Sequence, residues 1–313
     1  MILVTGSLAY DSIMDFPGNF SEHVMPEKVH ILNVSFLVDK MHKGFGGTAG
    51  NIAYNLSLLG VKTTILAIVG ADFAAYGEFL RQNEVDTSYI RTVNNLYTSN
   101  AFGITDKKDN QIWGFYTGAD MLSDNLSTNE VKGKIDFGVI APANPKAMIK
   151  FALEYQKKGT NYLFDPGMQL PWLSGADLKL GIKGAKIVIG NDYEISLMKK
   201  KMGLKETDSI GREDQIIITT LGEKGSIIHY KDVNMMIPAA VTRGASDPAG
   251  AGDAYRAGFI AGFMRGLDLE ICGRMGSIAS VYTVEKYGTT THKYTTADFM
   301  RRYEENFGKK LDL

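Results

Sequence analysis

The chain has 313 residues, 44% of them hydrophobic and 22% charged, with a formal net charge of −1. That is the make-up of a globular protein with one large domain or two modest ones, and it gives no electrostatic reason to expect nucleic acid or an anionic membrane as a partner. A single cysteine, Cys272, excludes an internal disulfide and a cysteine-built zinc site, and the five histidines show no HxxxH spacing. With neither a basic leader nor a run near the ~20 apolar residues of a membrane span, the expected location is the cytoplasm.

In chain order, residues 2–5 read as a short strand buried on both faces. Apolar β-rich runs follow at 31–38, 63–69, 137–141, 162–164, 186–189, 215–219 and 226–230. Helical spacing lies between many of them. Ala49, Ile52, Ala53, Leu56 and Leu59 recur at i, i+3 and i+4 until Gly60 ends the pattern. Residues 144–157, 192–202, 253–265 and 269–287 also read as helices. Alternation of this kind predicts a largely parallel sheet covered on both sides. Two regions break it. Residues 13–43 hold the 31–38 run with no clear crossover helix, and residues 96–118 hold two runs around the polar Thr105–Asn110, which is a hairpin signal. Both are expected in a small β-layer apart from the main body, which takes residues 1–12, 44–95 and 119–313.

The stretch with the most chemical content is Asp247-Pro248-Ala249-Gly250-Ala251-Gly252-Asp253-Ala254. Small residues at 249–252 let the backbone approach a ligand, and the helix that follows offers free N–H groups and the positive end of its dipole to an anion. A carboxylate in that first turn, Asp253, can accept a hydroxyl proton while the amides hold developing phosphate charge. Tight packing and a preference of Asp for helix starts would produce the same letters.

Asp-Pro-x-Gly-Ala-Gly-Asp-Ala, ahead of a small-residue helix, resembles the C-terminal signature of the ribokinase/PfkB family. The resemblance implies a three-layer α/β/α sandwich with a small β-sheet lid, Asp253 as catalytic base, and Gly250, Ala251 and Gly252 as the anion hole. Thr is usual where Pro248 stands, so a hydroxyl and an N–H are missing there. Gly46-Gly47-Thr48-Ala49-Gly50-Asn51 is similar to the N-terminal signature, in which the Gly pair is a hinge that touches substrate and Asn51 contacts substrate hydroxyls. A loose dinucleotide fingerprint, Gly44-x-Gly46-x-x-Ala49, is the weaker reading: the acidic residue it needs about 20 residues on would be Asp72, which follows Val69-Gly70 and matches the family's Val-Gly-x-Asp turn instead. Asp11 matches the family's hydroxyl-binding Asp; on its own it is a turn or cap residue. Asn191 and Glu194 match the Asn-x-x-Glu motif that organises magnesium, through water, and phosphate; alone they are a helix cap with Glu at N3. Thr220, Gly222 and Gly225 match the nucleotide-side turn and would equally make an ordinary hairpin turn. The resemblance runs from Asp11 to about Gly288. It implies ATP and Mg2+, leaves room for a monovalent cation and for a homodimer through the lid, and is accompanied by no Walker-A sequence.

The substrate implied is a small molecule with a primary hydroxyl. Asp165-Pro166-Gly167-Met168-Gln169 resembles the turn of archaeal nucleoside kinases and adenosine-kinase-like proteins, which puts Gln169 among the substrate residues and adenosine first among the acceptors. Phe36, Phe102, Trp113 and Tyr116 are aromatic candidates for a base, or for lid packing. A ribose- or fructose-type sugar kinase is the alternative, and a catalytically silent relative is the third reading.

Overall fold

The computed structural model describes residues 1–31, 33–108, 110–206 and 209–313. The chain starts with β1 (Ile2–Thr5), β2 (Ala9–Asp15), β3 (Lys40–Gly46), α1 (Thr48–Leu58), β4 (Thr63–Gly70), α2 (Ala74–Gln82) and β5 (Asp86–Val93). A hairpin, β6 (Ser99–Thr105) and β7 (Gln111–Tyr116), leads to β8 (Phe137–Ile140), α3 (Pro145–Lys158), β9 (Tyr162–Phe164), α4 (Gly175–Lys183), β10 (Ile187–Asn191) and α5 (Asp192–Met202). Then come β11 (Ile216–Thr220), β12 (Ser226–Tyr230), β13 (Val233–Ile237), α6 (Ala251–Met264), α7 (Leu269–Val284) and α8 (Thr296–Phe307).

Among the described residues the larger sheet has the order β13-β12-β11-β10-β9-β8-β1-β4-β5 and is parallel except for β12 and β13. Its inner strands β1, β4, β8, β9 and β10 are apolar because both faces are covered, whereas the edge strands β5 and β13 are largely exposed. Ile2 and Val4 of β1 enter one core with α1, α2, α6, α7 and α8; Leu3 enters the other with α3, α4 and α5. Ile187 and Ile189 against Val188, and Ile216 and Ile218 against Ile217, divide in the same way. The result is three layers, with the C-terminal ends of the parallel strands at one rim, where ligands gather in folds of this kind.

The smaller sheet has the order β3-β2-β6-β7. Its pairing starts at Ala9↔Gly46 and Ala9↔Ser99, so the bounds expected at 13 and 43 fall inside strands β2 and β3. The expected hairpin is β6 and β7. The expected strand at 31–38 is not formed: Pro26–Ile31 is a 3-10 turn, residues 33–38 have no regular structure, and Leu32 lies outside the described residues. Here the apolar letters serve a different purpose. Phe36 packs 4.9 Å from both Phe16 and Phe20, with His23 at the edge of Phe16, so the segment closes an aromatic cluster instead of pairing a ladder. The strand that does pair, β3, is mostly exposed and polar, and it lacks the alternation by which a strand is read.

Candidate active site

The N-terminus of α6 sits at the rim. Gly250 caps it at φ 76°, a left-handed conformation that glycine alone adopts freely; among the described residues no side chain caps the helix, while the Ala251 amide is engaged by Pro248 O at 3.3 Å. Asp247 fixes the approach: its Oδ1 accepts from Ala249 N at 2.9 Å and its Oδ2 from Gly288 N at 3.0 Å. Pro248 has no N–H to give this turn, but its carbonyl accepts from Ala251 N.

Asp253 lies in that first turn. Asn51 Nδ2, from α1, donates to Asp253 Oδ2 at 2.8 Å, so the two signatures meet although 202 residues separate them. Burial pushes Asp253 up to about 6, above the ordinary carboxyl range; Arg256 and the Asn51 hydrogen bond oppose the shift, and Asp165 and Asp11 add to it. Asn51 Oδ1 is buried with no partner among the described residues, an acceptor that a ligand hydroxyl would satisfy.

Asp11 faces the same space from β2. Its carboxylate lies so close over Gly46 that a Cβ on residue 46 would land on it, and a Cβ on Gly47 (φ 83°) would stand 2.6 Å from Ala9 N and Ser7 O. The Gly pair therefore exists to let β3 turn into α1 beneath Asp11. Burial, and after it Asp247, raises Asp11 to about 6.

A cleft of about 280 Å³ opens between the two sheets, lined by Asp11, His42, Trp113 and Phe115 on one side and Asp247 and Tyr287 on the other. Strand register explains its walls. Asp11 pairs with Gly44 and Ala101, and Ala101 with Phe115; Ile13 pairs with His42 and Gly103, and Gly103 with Trp113. Side chains alternate along a strand, so these rows share one face. The Trp113 ring lies back across Gly103, where a Cβ would come within 2.7 Å of it, and stacks on Phe115 at 5.9 Å and 12°. Of the four aromatic candidates, Trp113 lines the cleft. Phe102 and Tyr116 take the alternate positions on the opposite face, and Phe36 is in the aromatic cluster.

The remaining predicted residues fall at the rim beside α6. Asn191 and Glu194 form a reciprocal capping box at the start of α5, with both hydrogen bonds at 2.8 Å, so the structural reading of the motif is realised. Burial raises Glu194, opposed first by its bond from Asn191 N. Thr220 pairs in register with Asn191 and leads into the β11–β12 turn, where Gly222 and Gly225 have φ of 59° and 89°. Ser226 at its end meets Tyr255 of α6 through hydroxyls 2.6 Å apart, which ties this turn to the same helix. Gln169 sits half-buried in the 3-10 turn Gly167–Trp172 and does not line the cleft.

The pattern of the pfkB family carbohydrate kinases matches residues 6–296. The chain belongs to this family. It is 31% identical to a nucleoside kinase of Methanothermobacter thermautotrophicus over 98% of this chain and 96% of that one. Among solved structures it resembles the Burkholderia thailandensis nucleoside kinase in complex with inosine, with 36% identity, a TM-score of 0.88 and 99% of each chain covered. The nucleoside kinase of Methanocaldococcus jannaschii superposes with a TM-score of 0.87 at 30% identity, covering 97% of this chain and 98% of that one. The fold is thus ribokinase-like, and the protein is an ATP-dependent phosphotransferase. Among the described residues no helix is long and apolar enough to cross a membrane.

The sequence left one prominent group in this pfkB-family site unremarked. Arg256, one turn beyond Asp253, is 7% exposed, and its Nε stands 2.5 Å from Oδ2 of the buried Asp165. The signal available was a lone arginine in a helix that, apart from Asp253, is built of small, apolar and aromatic residues. His42, 5.1 Å from Tyr287 across the cleft, carried no sequence signal, whereas Tyr287 opens a Tyr287-Gly288-Thr289-x-x-His292 stretch that resembles adenosine-kinase members.

Proposed function

We propose that this chain transfers the γ-phosphate of ATP to the 5′-hydroxyl of a nucleoside, adenosine before others, with Asp253 as the general base. The observation that carries the nucleoside over a free sugar is the Trp113–Phe115 pair laid flat on the small residues Gly103 and Ala101, a surface suited to a planar base and surplus to a sugar. In this reading Asp11 and Asn51 Oδ1 take the ribose hydroxyls, with Gly46 and Gly47 holding the backbone clear. The 5′-hydroxyl then points at Asp253, and the amides at Gly250, Ala251 and Gly252 face the transferring phosphoryl group. ATP lies along Asn191, Glu194, Thr220, Gly222 and Gly225. Gln169 is kept out of the substrate set, since it stands off the cleft.

The donor set suits magnesium held chiefly by phosphates and water. Among the described residues no cluster of three or more His, Cys, Asp or Glu is arranged to hold a metal, and Glu194 engages Asn191 N through Oε2 alone. When bound there, magnesium would neutralise phosphate charge. The four-stranded sheet acts as the lid.

The test is a panel of adenosine, inosine, cytidine, ribose and fructose with ATP, scored by ADP release with magnesium and with excess chelator. Adenosine should give the highest kcat/KM, and chelation should abolish turnover. A higher kcat/KM with ribose or fructose than with every nucleoside would make this a sugar kinase.

The outer lid face, where Phe102, Ile112 and Tyr116 are each more than 40% exposed, fits pairing with a second copy. Sedimentation should show a homodimer that Ile112→Lys dissociates; a monomer at micromolar concentration would exclude it.

A further inference from the structure

We propose that Arg256 is the positioning residue of phosphoryl transfer: its guanidinium, anchored by Asp165 beneath the first turn of α6, supplies a fixed positive charge under Asp253 and the Gly250–Gly252 amides. This rests on Asp253 being the base.

The geometry follows from the helix. Side chains on a helix lean toward its N-terminus, so a residue at 256 reaches back under 252 and 253. Arg256 does so. A Cβ on Gly252 would stand 2.8 Å from its Nη1, which means the guanidinium occupies the space directly against the anion-hole backbone. Glycine at 252 therefore has a second reason to be there besides approach to phosphate.

A cation in the first turns of a helix is placed against the dipole and is ordinarily unfavourable. Burying it adds a desolvation cost that only close counter-charges offset. Burial does work against its charge, but Asp165 and Asp253 outweigh that, with Glu194 of α5 adding to them. The guanidinium is thus permanently charged and held from one side by Asp165, which leaves its field directed at the other two carboxylates and at the rim. Asp165 itself follows β9; among the described residues its Oδ1 has no side-chain partner, so apart from the Gly167 backbone the arginine is what this carboxylate serves. A P-loop kinase places a lysine at its phosphates. This chain has no Walker-A lysine, and a buried guanidinium behind the amides provides positive potential from beneath.

Two groups would feel it. Asp253 is favoured as a carboxylate, opposing the effects of burial and of Asp165 and Asp11. The charged and titratable groups facing Asp253 are Arg256 on its own helix, Asp11 on β2, Asp165 after β9 and Tyr76 on α2; Asn51 on α1 is neutral. The transferring phosphoryl group would gain the same field at the moment its charge spreads.

The two members of the ion pair make opposite predictions, which a packing role would not. Arg256→Met removes the cation and should move the acidic limb of the kcat/KM–pH profile up by about 1–2 units. It should also lower kcat by roughly tenfold or more, leaving the nucleoside KM nearly unchanged. Asp165→Asn keeps the guanidinium, removes a repelling carboxylate and should move the limb down. Arg256→Lys, which restores the charge, should bring the limb back toward wild type. Limbs that do not move, or that move in the same direction in R256M and D165N, overturn the proposal. Should R256M not fold, D165N decides: a limb at or above the wild-type position overturns it. Asp253→Asn in the same assay keeps the two readings apart, because full turnover there refutes the base and leaves the Arg256 shifts to be judged separately.

Discussion

Asp253→Asn should retain the fold, as judged by its melting temperature, and lose turnover by about 100- to 10,000-fold, the usual cost of removing a general base. The side chains are isosteric. The new amide can turn its carbonyl oxygen to accept from Asn51 Nδ2, so the 2.8 Å contact joining α1 to α6 survives. That amide cannot take a hydroxyl proton. A purely structural Asp at a helix start would tolerate the change within about 1 kcal/mol, so near-normal kcat in a folded variant would refute the assignment. Wild-type enzyme carries the matching pH signature. A base must be unprotonated to act, and the Asp253 carboxyl sits at about 6, so activity should rise with pH through that region and level off above it. Asp11, raised to a similar position, contributes to the same limb, so the apparent value belongs to the pair.

Asp11→Ala should act on binding more than on chemistry. A charge-assisted hydrogen bond to a substrate hydroxyl is worth about 1.5–3 kcal/mol, which corresponds to roughly 10- to 100-fold in KM for the nucleoside. ATP affinity should hold, because the proposed nucleotide residues lie on α5 and the β11–β12 turn, away from β2. Steady-state kinetics with nucleoside varied at saturating ATP would decide; an unchanged nucleoside KM would remove Asp11 from the substrate site.

Much of this could be read from the letters. The inner strands of the large sheet are legible because burial on both faces leaves nearly unbroken Val and Ile, the exposed edge strands β5 and β13 are not, and α1 is legible because its apolar positions keep helical spacing. The 31–38 run looked equally convincing, and it failed because β-branched and aromatic residues also serve a cluster such as Phe16–Phe20–Phe36. Strand β3 was missed for the converse reason: its outer residues are solvent-exposed, so selection for apolar alternation is absent. In the site, backbone-shaped features were visible, since Gly46, Gly47 and Gly250 stand where a side chain would collide. Asn191 and Glu194 were visible twice over, because a capping box and a phosphate-side motif need the same residues. Arg256 offered only its isolation in α6: its meaning depends on Asp165, which is brought to it only by the β9 crossover.

The position of β1 has a bearing on how the molecule is made. Leu3 pairs with Thr64 on one side and with Gly138 on the other, so the earliest strand lies inside the large sheet and not at its edge. During synthesis it can acquire one neighbour early, but its other flank stays an open, apolar edge until β8 leaves the ribosome. Such long-range parallel pairing is slow and exposes sticky surface meanwhile. Recovery from denaturant should therefore be limited by closure of the β1–β8 seam, and yield should fall with protein concentration before stability itself becomes the limit.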